Sequence, residues 1–233
     1  MKSFRWEALI MASGLIILGL LLKTGLDNFS GRERIVNVKG LSEMEVPADK
    51  VTWPLVFKEL GNNLSDLYEK INANNKAVVA FLKSNGLTDG DISVNAPEII
   101  DMQAERYNTT PPRYRYNVTS VITVNSSQVD LVRKLIGNQG ELLRQGIAVT
   151  GGEYRYNTVY YFTGLNDIKP RMIEEATRNA RAAAEKFAKD SDSRLGKIKN
   201  ASQGQFTITD RDENTPYIKN VRVVTTVNYF LKD

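Results

Sequence analysis

An uninterrupted apolar run near the start of the chain is the strongest pattern in the sequence. The segment Ala8–Leu22 carries no charged side chain, and basic residues flank it on both sides: Lys2, Arg5 and Lys23. A helix that spans a bilayer needs about 20 apolar residues. Phe4–Leu26 reaches that length if Arg5, Glu7 and Lys23 near its ends are included. Their long side chains can extend toward the membrane interface, so they are compatible with a span. We therefore predict a membrane-spanning signal anchor over residues 1–26 and a polar tether over residues 27–34.

Two other interpretations of this segment stay open from the sequence. A cleaved signal peptide has the same basic start and apolar centre, although the residues after Leu22 lack the usual small-residue cleavage site. Cleavage would release the rest of the chain into the periplasm. A buried helix of a soluble protein is disfavoured, because the run has no polar face. The basic residues before the run favour an N-terminus on the cytoplasmic side, which places residues 35–233 across the membrane.

Strand-like and helix-like patterns alternate along the rest of the chain. Alternating polar and apolar positions predict seven strands: Ile35–Gly40, Val51–Leu60, Asp91–Ile100, Tyr114–Val124, Tyr154–Thr163, Phe206–Thr209 and Val221–Leu231. Apolar residues at spacings of three and four predict three helices: Asn62–Asn85, Ser127–Asn138 and Ile168–Ser191. The resulting order is roughly ββαββαβαββ. It predicts an α+β fold over residues 35–233, with largely antiparallel sheet and amphipathic helices packed on one face.

Individual residues refine these elements. Pro54 within the second strand indicates an edge position or a bulge, and Ser127 and Asp130 match a capping box at the start of the second helix. Pro170 suits the first turn of the third helix. The apolar positions of the first helix are Leu64, Leu67, Tyr68, Ile71, Val78, Val79 and Leu82. The predicted inward stripe of the third helix is Ile173, Ala176, Ala180, Ala183 and Phe187, whose alanines allow close approach to a sheet.

Composition removes several classes of chemistry. The 233 residues include no cysteine and no histidine, which excludes disulfides, thiolate and imidazole catalysis, and the common zinc sites. An exported domain of this size without disulfides is typical of the bacterial envelope. The net charge is only +4 and the charges are interspersed, so the sequence does not indicate a nucleic-acid partner. We predict no catalytic residue, no cofactor and no metal site.

One short acidic run has some features of a cation site. Asp210, Asp212 and Asn214 resemble the start of a calcium-binding loop. The glycine and the bidentate glutamate that such a loop requires are missing. We interpret the run as a solvated loop, with a weak cation site as the alternative.

Tyrosine and arginine interleave at two places in the chain. The sequence Tyr-Arg-Tyr-Asn occurs at residues 114–117 and again at 154–157, which either a repeat or chance explains. The Tyr/Arg surface is defined here as Arg113, Tyr114, Arg115, Tyr116, Tyr154, Arg155 and Tyr156, with Tyr107 nearby. In a strand, the first two tyrosines lie on one face and the first two arginines on the other. Cross-strand packing, an oligomer interface, a glycan contact and a nucleic-acid contact are the interpretations of this pattern, in that order.

Two stretches carry a resemblance to a known family. The first is Val38-Lys-Gly-Leu-Ser-Glu-Met-Glu-Val-Pro-Ala-Asp-Lys-Val51, and the second is the alanine-rich segment Glu175–Ala188 followed by Arg194-Leu-Gly-Lys-Ile198. They resemble the SIMPL-domain family, also called the domain of unknown function 541, over about residues 35–232.

The resemblance implies a periplasmic or outer-membrane-associated bacterial protein with no catalytic residues to carry over. Some members are linked to tolerance of oxidative stress, one assembles into a large ring-like homo-oligomer, and a mammalian member associates with a signalling kinase. This chain differs from a typical exported member in that its N-terminal segment is predicted to be retained, which favours a tethered form.

The sequence therefore favours a non-enzymatic protein of the bacterial cell envelope. Ala8–Leu22 would hold it in the inner membrane, and the domain would act in the periplasm by forming a homo-oligomer or binding an envelope protein. The alternatives are a carboxylate-based hydrolase, which needs two carboxyl groups ~5–10 Å apart, and a lipid- or sugar-binding module, which needs a deep apolar pocket.

Overall fold

The computed structural model describes residues 3–30, 34–104, 112–150 and 154–232. Its helices are α1 (Ser3–Ser30), α2 (Leu64–Ser84), α3 (Val129–Asn138), α4 (Gly140–Arg144) and α5 (Leu165–Asp190). Its strands are β1 (Ile35–Pro47), β2 (Lys50–Gly61), β3 (Ile92–Val94), β4 (Glu98–Asp101), β5 (Tyr116–Ser126), β6 (Val159–Tyr161), β7 (Arg194–Gln203), β8 (Thr207–Asp210) and β9 (Ile218–Lys232). Single 3₁₀ turns cover Asp89–Asp91 and Tyr154–Tyr156.

The predicted α+β class is confirmed, with differences in the element order. β2 pairs antiparallel with β5 and β6, β5 with β3 and β4, and β7 with β9. The predicted strand over Asp91–Ile100 is two short strands, because Asn95–Pro97 interrupts it. The connector after α3 contains α4, which the sequence pattern did not indicate. The chain divides into two compact units, one of residues 1–44, 166–207 and 221–233, the other of residues 45–165 and 208–220.

The unit formed mainly by residues 45–165 contains a five-stranded sheet with three helices. Its strand order is β3-β5-β2-β6, and β4 also pairs with β5. Alternate residues of β2 point into the core, so Trp53, Leu55 and Phe57 are almost fully buried. The side chains that complete this core come from the three helices and the neighbouring strands: Leu67, Ile71, Val78, Phe81, Leu82, Val118, Ile122, Val124, Val132, Leu135, Leu142 and Ile147.

Pro54 lies in an interior strand, at a point where that strand is paired on one side. β5 pairs along the length of β2 and places Thr123 opposite Pro54. On the other side, β6 reaches only Lys50–Thr52, and the next described partner is a bridge from Val56 to Thr150. The predicted edge character of this position is therefore local, because a proline that lacks an N–H is tolerated where the ladder is open.

The other unit packs α5 against a sheet of order β1-β9-β7. The buried stripe of α5 is Met172, Ala176, Ala180, Ala184 and Ala188. The predicted stripe was wrong at Phe187, which is 61% exposed. The buried residues of α5 recur at every fourth position. The predicted stripe alternated spacings of three and four residues and therefore moved onto the exposed Phe187. α5 also begins at Leu165, so Pro170 lies inside the helix instead of in its first turn.

The capping prediction for the second helix of the domain was also wrong. Gln128 is the N-cap of α3, and its side chain makes no capping hydrogen bond. The hydroxyl of Ser126 instead accepts a hydrogen bond from the Gln128 N–H at 3.1 Å. The apolar stripe of α3 sets where the helix begins, because its tertiary contacts outweigh a local capping preference.

The helix α1 is long and apolar enough to cross a membrane. Over Trp6–Leu26 its mean hydropathy is 2.1, and none of that window is buried against the rest of the described chain. Its large apolar side chains are therefore without a protein core.

Candidate functional site

The structure places the two halves of the Tyr/Arg surface in different local conformations. Tyr116 is the first residue of β5, and Arg113, Tyr114 and Arg115 precede the strand. The predicted start of this strand at Tyr114 was therefore wrong by two residues, although the arginines are exposed and the tyrosines half-buried in alternation. The predicted strand beginning at Tyr154 was also wrong, because Tyr154–Tyr156 forms a 3₁₀ turn before β6. The side chain of Tyr154 and the whole of Tyr107 lie outside the described residues.

Arg115 connects the start of β5 to β4. Its Nε and Nη2 both donate to the Oδ2 of Asp101, at 3.0 and 2.9 Å, and its backbone N–H donates to the Asn62 side-chain oxygen at 2.9 Å. Its guanidinium also lies over the Tyr116 ring, 4.9 Å from the ring centroid. The hydrogen bonds from Arg115 lower the pKa of the Asp101 carboxyl and raise the pKa of Arg115 itself.

Arg155 brings the second half of the Tyr/Arg surface to the same strand. Its Nη1 lies 3.9 Å from the Glu98 carboxylate, and its guanidinium lies 5.5 Å from the Tyr156 ring centroid. Glu98 and Asp101 are the first and last residues of β4. The structure thus places the two Tyr-Arg-Tyr segments, 40 positions apart in the chain, at the two ends of one short strand.

We expect the Asp101–Arg115 pair to contribute to the acid sensitivity of the fold. The hydrogen bonds from Arg115 lower the pKa of Asp101 from 3.8 in the folded chain. Its contribution to stability is therefore complete above about pH 5 and is lost as the pH falls through the lower folded value. Arg115→Gln should make the melting temperature less dependent on pH below about pH 4. Melting temperatures measured across this pH range check the prediction. Asp101→Asn is the matched control, because it removes the titrating carboxyl group and should weaken the pH dependence in the same way. An unchanged acid slope in both variants would contradict the assignment.

Asp49 has a positional role that the sequence pattern alone did not assign. Its carboxylate accepts hydrogen bonds from the Thr163 N–H at 2.8 Å, the Thr163 hydroxyl at 3.1 Å and the Gly164 N–H at 2.9 Å. These donors lie directly before Leu165, where α5 begins. A short acidic side chain is the usual acceptor for free N–H groups at such a position. Asp49 belongs to the Val-Pro-Ala-Asp stretch, which carries part of the family resemblance. That stretch could have identified Asp49, but its partners could not be read from the sequence.

Gly40 shows why the two family-like stretches belong together. It lies in β1, where a Cβ atom would be 1.8 Å from the Ala176 carbonyl oxygen and 2.4 Å from the Ala180 nitrogen. The strand backbone therefore lies directly against the helix backbone, and only glycine facing alanine permits that distance. The first stretch supplies the glycine and the second supplies the alanines.

The comparison with protein families agrees with this packing. The model of the family described as SIMPL, protein of unknown function (DUF541), matches residues 36–227. This chain belongs to the SIMPL family. The match includes both stretches and the Tyr/Arg surface. A comparison with curated proteins gives no match.

Hydrogen bonds shift the pKa values of three carboxyl groups in the described part of this SIMPL chain. The carboxyl groups of Asp91, Asp101 and Asp212 have lowered pKa values, each because of hydrogen bonds to the charged form. A general acid needs a raised pKa. Within the described ranges, no group of three or more acidic side chains has metal-binding geometry.

The acidic run near β8, Asp210 to Asn214, forms a turn that Asp212 stabilises. The Asp212 carboxylate accepts hydrogen bonds from the Asn214 and Thr215 N–H groups, at 2.9 and 2.8 Å. Asp210 is paired with Lys219. The carboxylate oxygens of this run therefore have protein donors, and the geometry is that of an Asx turn.

Proposed function

We propose that this SIMPL protein is a membrane-tethered binding protein that acts without catalysing a reaction. The observation that carries the proposal is α1, whose segment Trp6–Leu26 is 21 residues long, strongly apolar and not buried by the described chain. An apolar helix of about 30 Å without a protein core matches the thickness of the hydrocarbon layer. A lipid bilayer would bury the apolar side chains that the described chain leaves exposed.

The proposed location is the bacterial inner membrane, with residues 35–233 in the periplasm. The basic residues that precede the apolar run support this orientation. The absence of cysteine from the sequence is compatible with a large exported domain that needs no disulfide. A role in envelope stress tolerance is part of the proposal on the strength of the family resemblance alone.

The proposed contact is the Tyr/Arg surface, used for self-association or for a protein partner in the envelope. Arg113 and Arg155 are exposed, while Tyr114 and Tyr156 are half-buried beside them. Tyrosine and arginine dominate protein interfaces because they combine apolar area with directed hydrogen bonds. Arg115 is less available, because Asp101 holds its guanidinium.

Neither alternative function gains a supporting observation from the described residues. A carboxylate hydrolase needs one protonated carboxyl group, and the three shifted carboxyls have lowered pKa values. A lipid- or sugar-binding module needs an enclosed pocket of about 300 Å³ or more. The groove at Tyr68 and Ile99 has a volume of about 190 Å³, and the groove at Val79, of about 370 Å³, is open to solvent instead of enclosed.

The native mass of the full chain in lipid nanodiscs tests self-association. We expect a discrete mass above the 26.2 kDa monomer, and Arg155→Glu with Tyr156→Ala should shift it toward the monomer by at least about tenfold in dissociation constant. Multi-angle light scattering over a range of protein concentrations measures it. Tyr161→Ala is the control, because Tyr161 is also exposed but lies in β6. A monomer at every concentration would reject self-association and leave envelope crosslinking to find a partner.

A further inference from the structure

Within the described residues, the strands β3 and β4 form an open edge of the five-stranded sheet. β5 pairs with β2 along one side, and with β3 and β4 along the other. Between them, the Asn95 N–H donates to the Val121 carbonyl at 3.0 Å, so the chain follows β5 almost continuously from Ile92 to Asp101. Within the described ranges, no strand pairs with the outer side of β3 or β4. Such an edge presents backbone donors and acceptors to a further strand.

Two grooves lie beside this edge along α2, and they are together called the crevice here. The first half is an apolar groove of about 190 Å³, lined by Leu64, Tyr68, Ile71, Pro97, Ile99 and Val118. The second half is a groove of about 370 Å³, lined by Asn75, Lys76, Val79, Ala80, Lys83 and Val94. Tyr68 is 65% exposed, Ile99 54% and Val94 50%. Large apolar side chains that cluster in solvent mark an interaction surface.

The two halves of the crevice differ in charge. The groove at Tyr68 and Ile99 has no charged lining residue, whereas the groove at Val79 is lined by two lysines. Asp89 neutralises Lys83 at 2.5 Å. Lys76 is exposed, and no carboxylate lies within ion-pair distance of it in the described ranges. The crevice is therefore complementary to a ligand with an apolar group at one end and an acidic group at the other.

The dimensions of the crevice fit an extended chain. Tyr68 and Val79 are 11 helical residues apart, about 16 Å along the axis of α2. Val94 and Ile99 are five extended residues apart, also about 16 Å along the edge. A strand lying in the crevice repeats its side-chain direction every two residues. Side chains four residues apart point the same way and lie about 13 Å apart, which is close enough to this separation to reach both grooves.

We propose that this crevice binds an extended segment of a partner protein, which adds to the β3–β4 edge as a further strand. The segment places an apolar side chain between Tyr68 and Ile99 and an acidic side chain beside Lys76. Main-chain hydrogen bonds to the edge supply affinity, and the two grooves supply specificity. The proposal rests on the proposed binding role but uses a surface distinct from the Tyr/Arg surface, and it does not depend on self-association.

A designed peptide tests the proposal on the full chain in lipid nanodiscs. The probe is a fluorescent ten-residue peptide of alternating valine and threonine, with isoleucine at its fourth position and glutamate at its eighth. Fluorescence anisotropy should give a Kd on the order of 10–100 μM. A peptide with lysine in place of glutamate should bind about tenfold more weakly, and a central proline should abolish binding because it removes a backbone donor.

Matched protein variants assign the contact. Tyr68→Ala should weaken binding about tenfold, whereas Tyr161→Ala should leave it unchanged. Lys76→Glu should reverse the preference between the glutamate and lysine peptides, and Lys134→Glu on α3 should not. These side chains are exposed, so the variants should fold.

Three outcomes would overturn the proposal. Absence of binding would do so, and so would equal binding of both peptides to all variants. The third is a lower native mass of Tyr68→Ala without peptide, which would show that a second copy occupies the crevice. Peptide binding by a protein that washes off membranes would reject the proposed membrane tether while leaving the crevice proposal intact.

Discussion

Replacing Gly40 with alanine is expected to destabilise the unit built from β1, β9, β7 and α5 by about 3 kcal/mol or more. The added methyl group would lie 1.8 Å from the Ala176 carbonyl oxygen. Both nearby atoms belong to the backbone of α5, so no side chain can rotate away to make room. The helix itself must move, and that movement would open the packing at the buried stripe Ala176–Ala188.

Chemical denaturation of the full chain in detergent micelles, followed by far-ultraviolet circular dichroism, measures this loss. Gly137→Ala is the matched control. Gly137 lies in α3, where an added Cβ atom would meet nothing within 4 Å, and alanine there should stabilise the helix by up to about 1 kcal/mol. Equal stability of Gly40→Ala and the parent chain would show that β1 and α5 are farther apart than the structure places them.

Two arginines in the middle of α1 are expected to remove the protein from the membrane. Leu15 and Leu18 are exposed side chains near the centre of the apolar segment. An arginine at the centre of a spanning helix costs about 2.5–3.5 kcal/mol on the insertion scale, and the lost leucines add to this cost. The double variant Leu15→Arg and Leu18→Arg should therefore shift the insertion equilibrium by at least about 5 kcal/mol, more than a thousandfold.

Alkaline extraction of membranes, followed by immunodetection in the pellet and supernatant, checks this expectation. The parent chain should stay in the pellet at its full mass and the double variant should not. Thr24→Arg is the control, because an arginine near the end of the helix reaches the interface. A parent chain that is soluble and shortened would instead identify the segment as a cleaved signal peptide.

The positions of most helices and strands could be predicted from periodicity, since that pattern depends on neighbours in the chain. The long helix α2 and the strand β2 agree closely with the predicted Asn62–Asn85 and Val51–Leu60. Errors arose where tertiary contacts override local preference. Tyr154–Tyr156 alternates like a strand but turns, and Leu64 and Tyr68 fit the amphipathic pattern of α2 yet remain exposed.

The candidate surfaces needed the tertiary structure, because their residues are distant in sequence. The sequence identified both Tyr-Arg-Tyr segments, but only the pairing of β4 with β5 brings Asp101 to Arg115. The approach of Arg155 to Glu98 likewise depends on the tertiary structure. The crevice beside α2 combines a helix face with an unpaired sheet edge. A sheet edge is a property of strand order, which a single sequence does not reveal.

The sequence by itself determined the apolar segment, the α+β class, the family resemblance and the lack of histidine and cysteine chemistry. These depend on residue type and local spacing. Only the tertiary structure decided that Gly40 lies against Ala176 and Ala180, and that Asp49 binds the turn before α5. Both contacts join segments more than 110 residues apart. Long-range packing selects which of many locally acceptable partners a residue contacts, and local patterns contain no record of that choice.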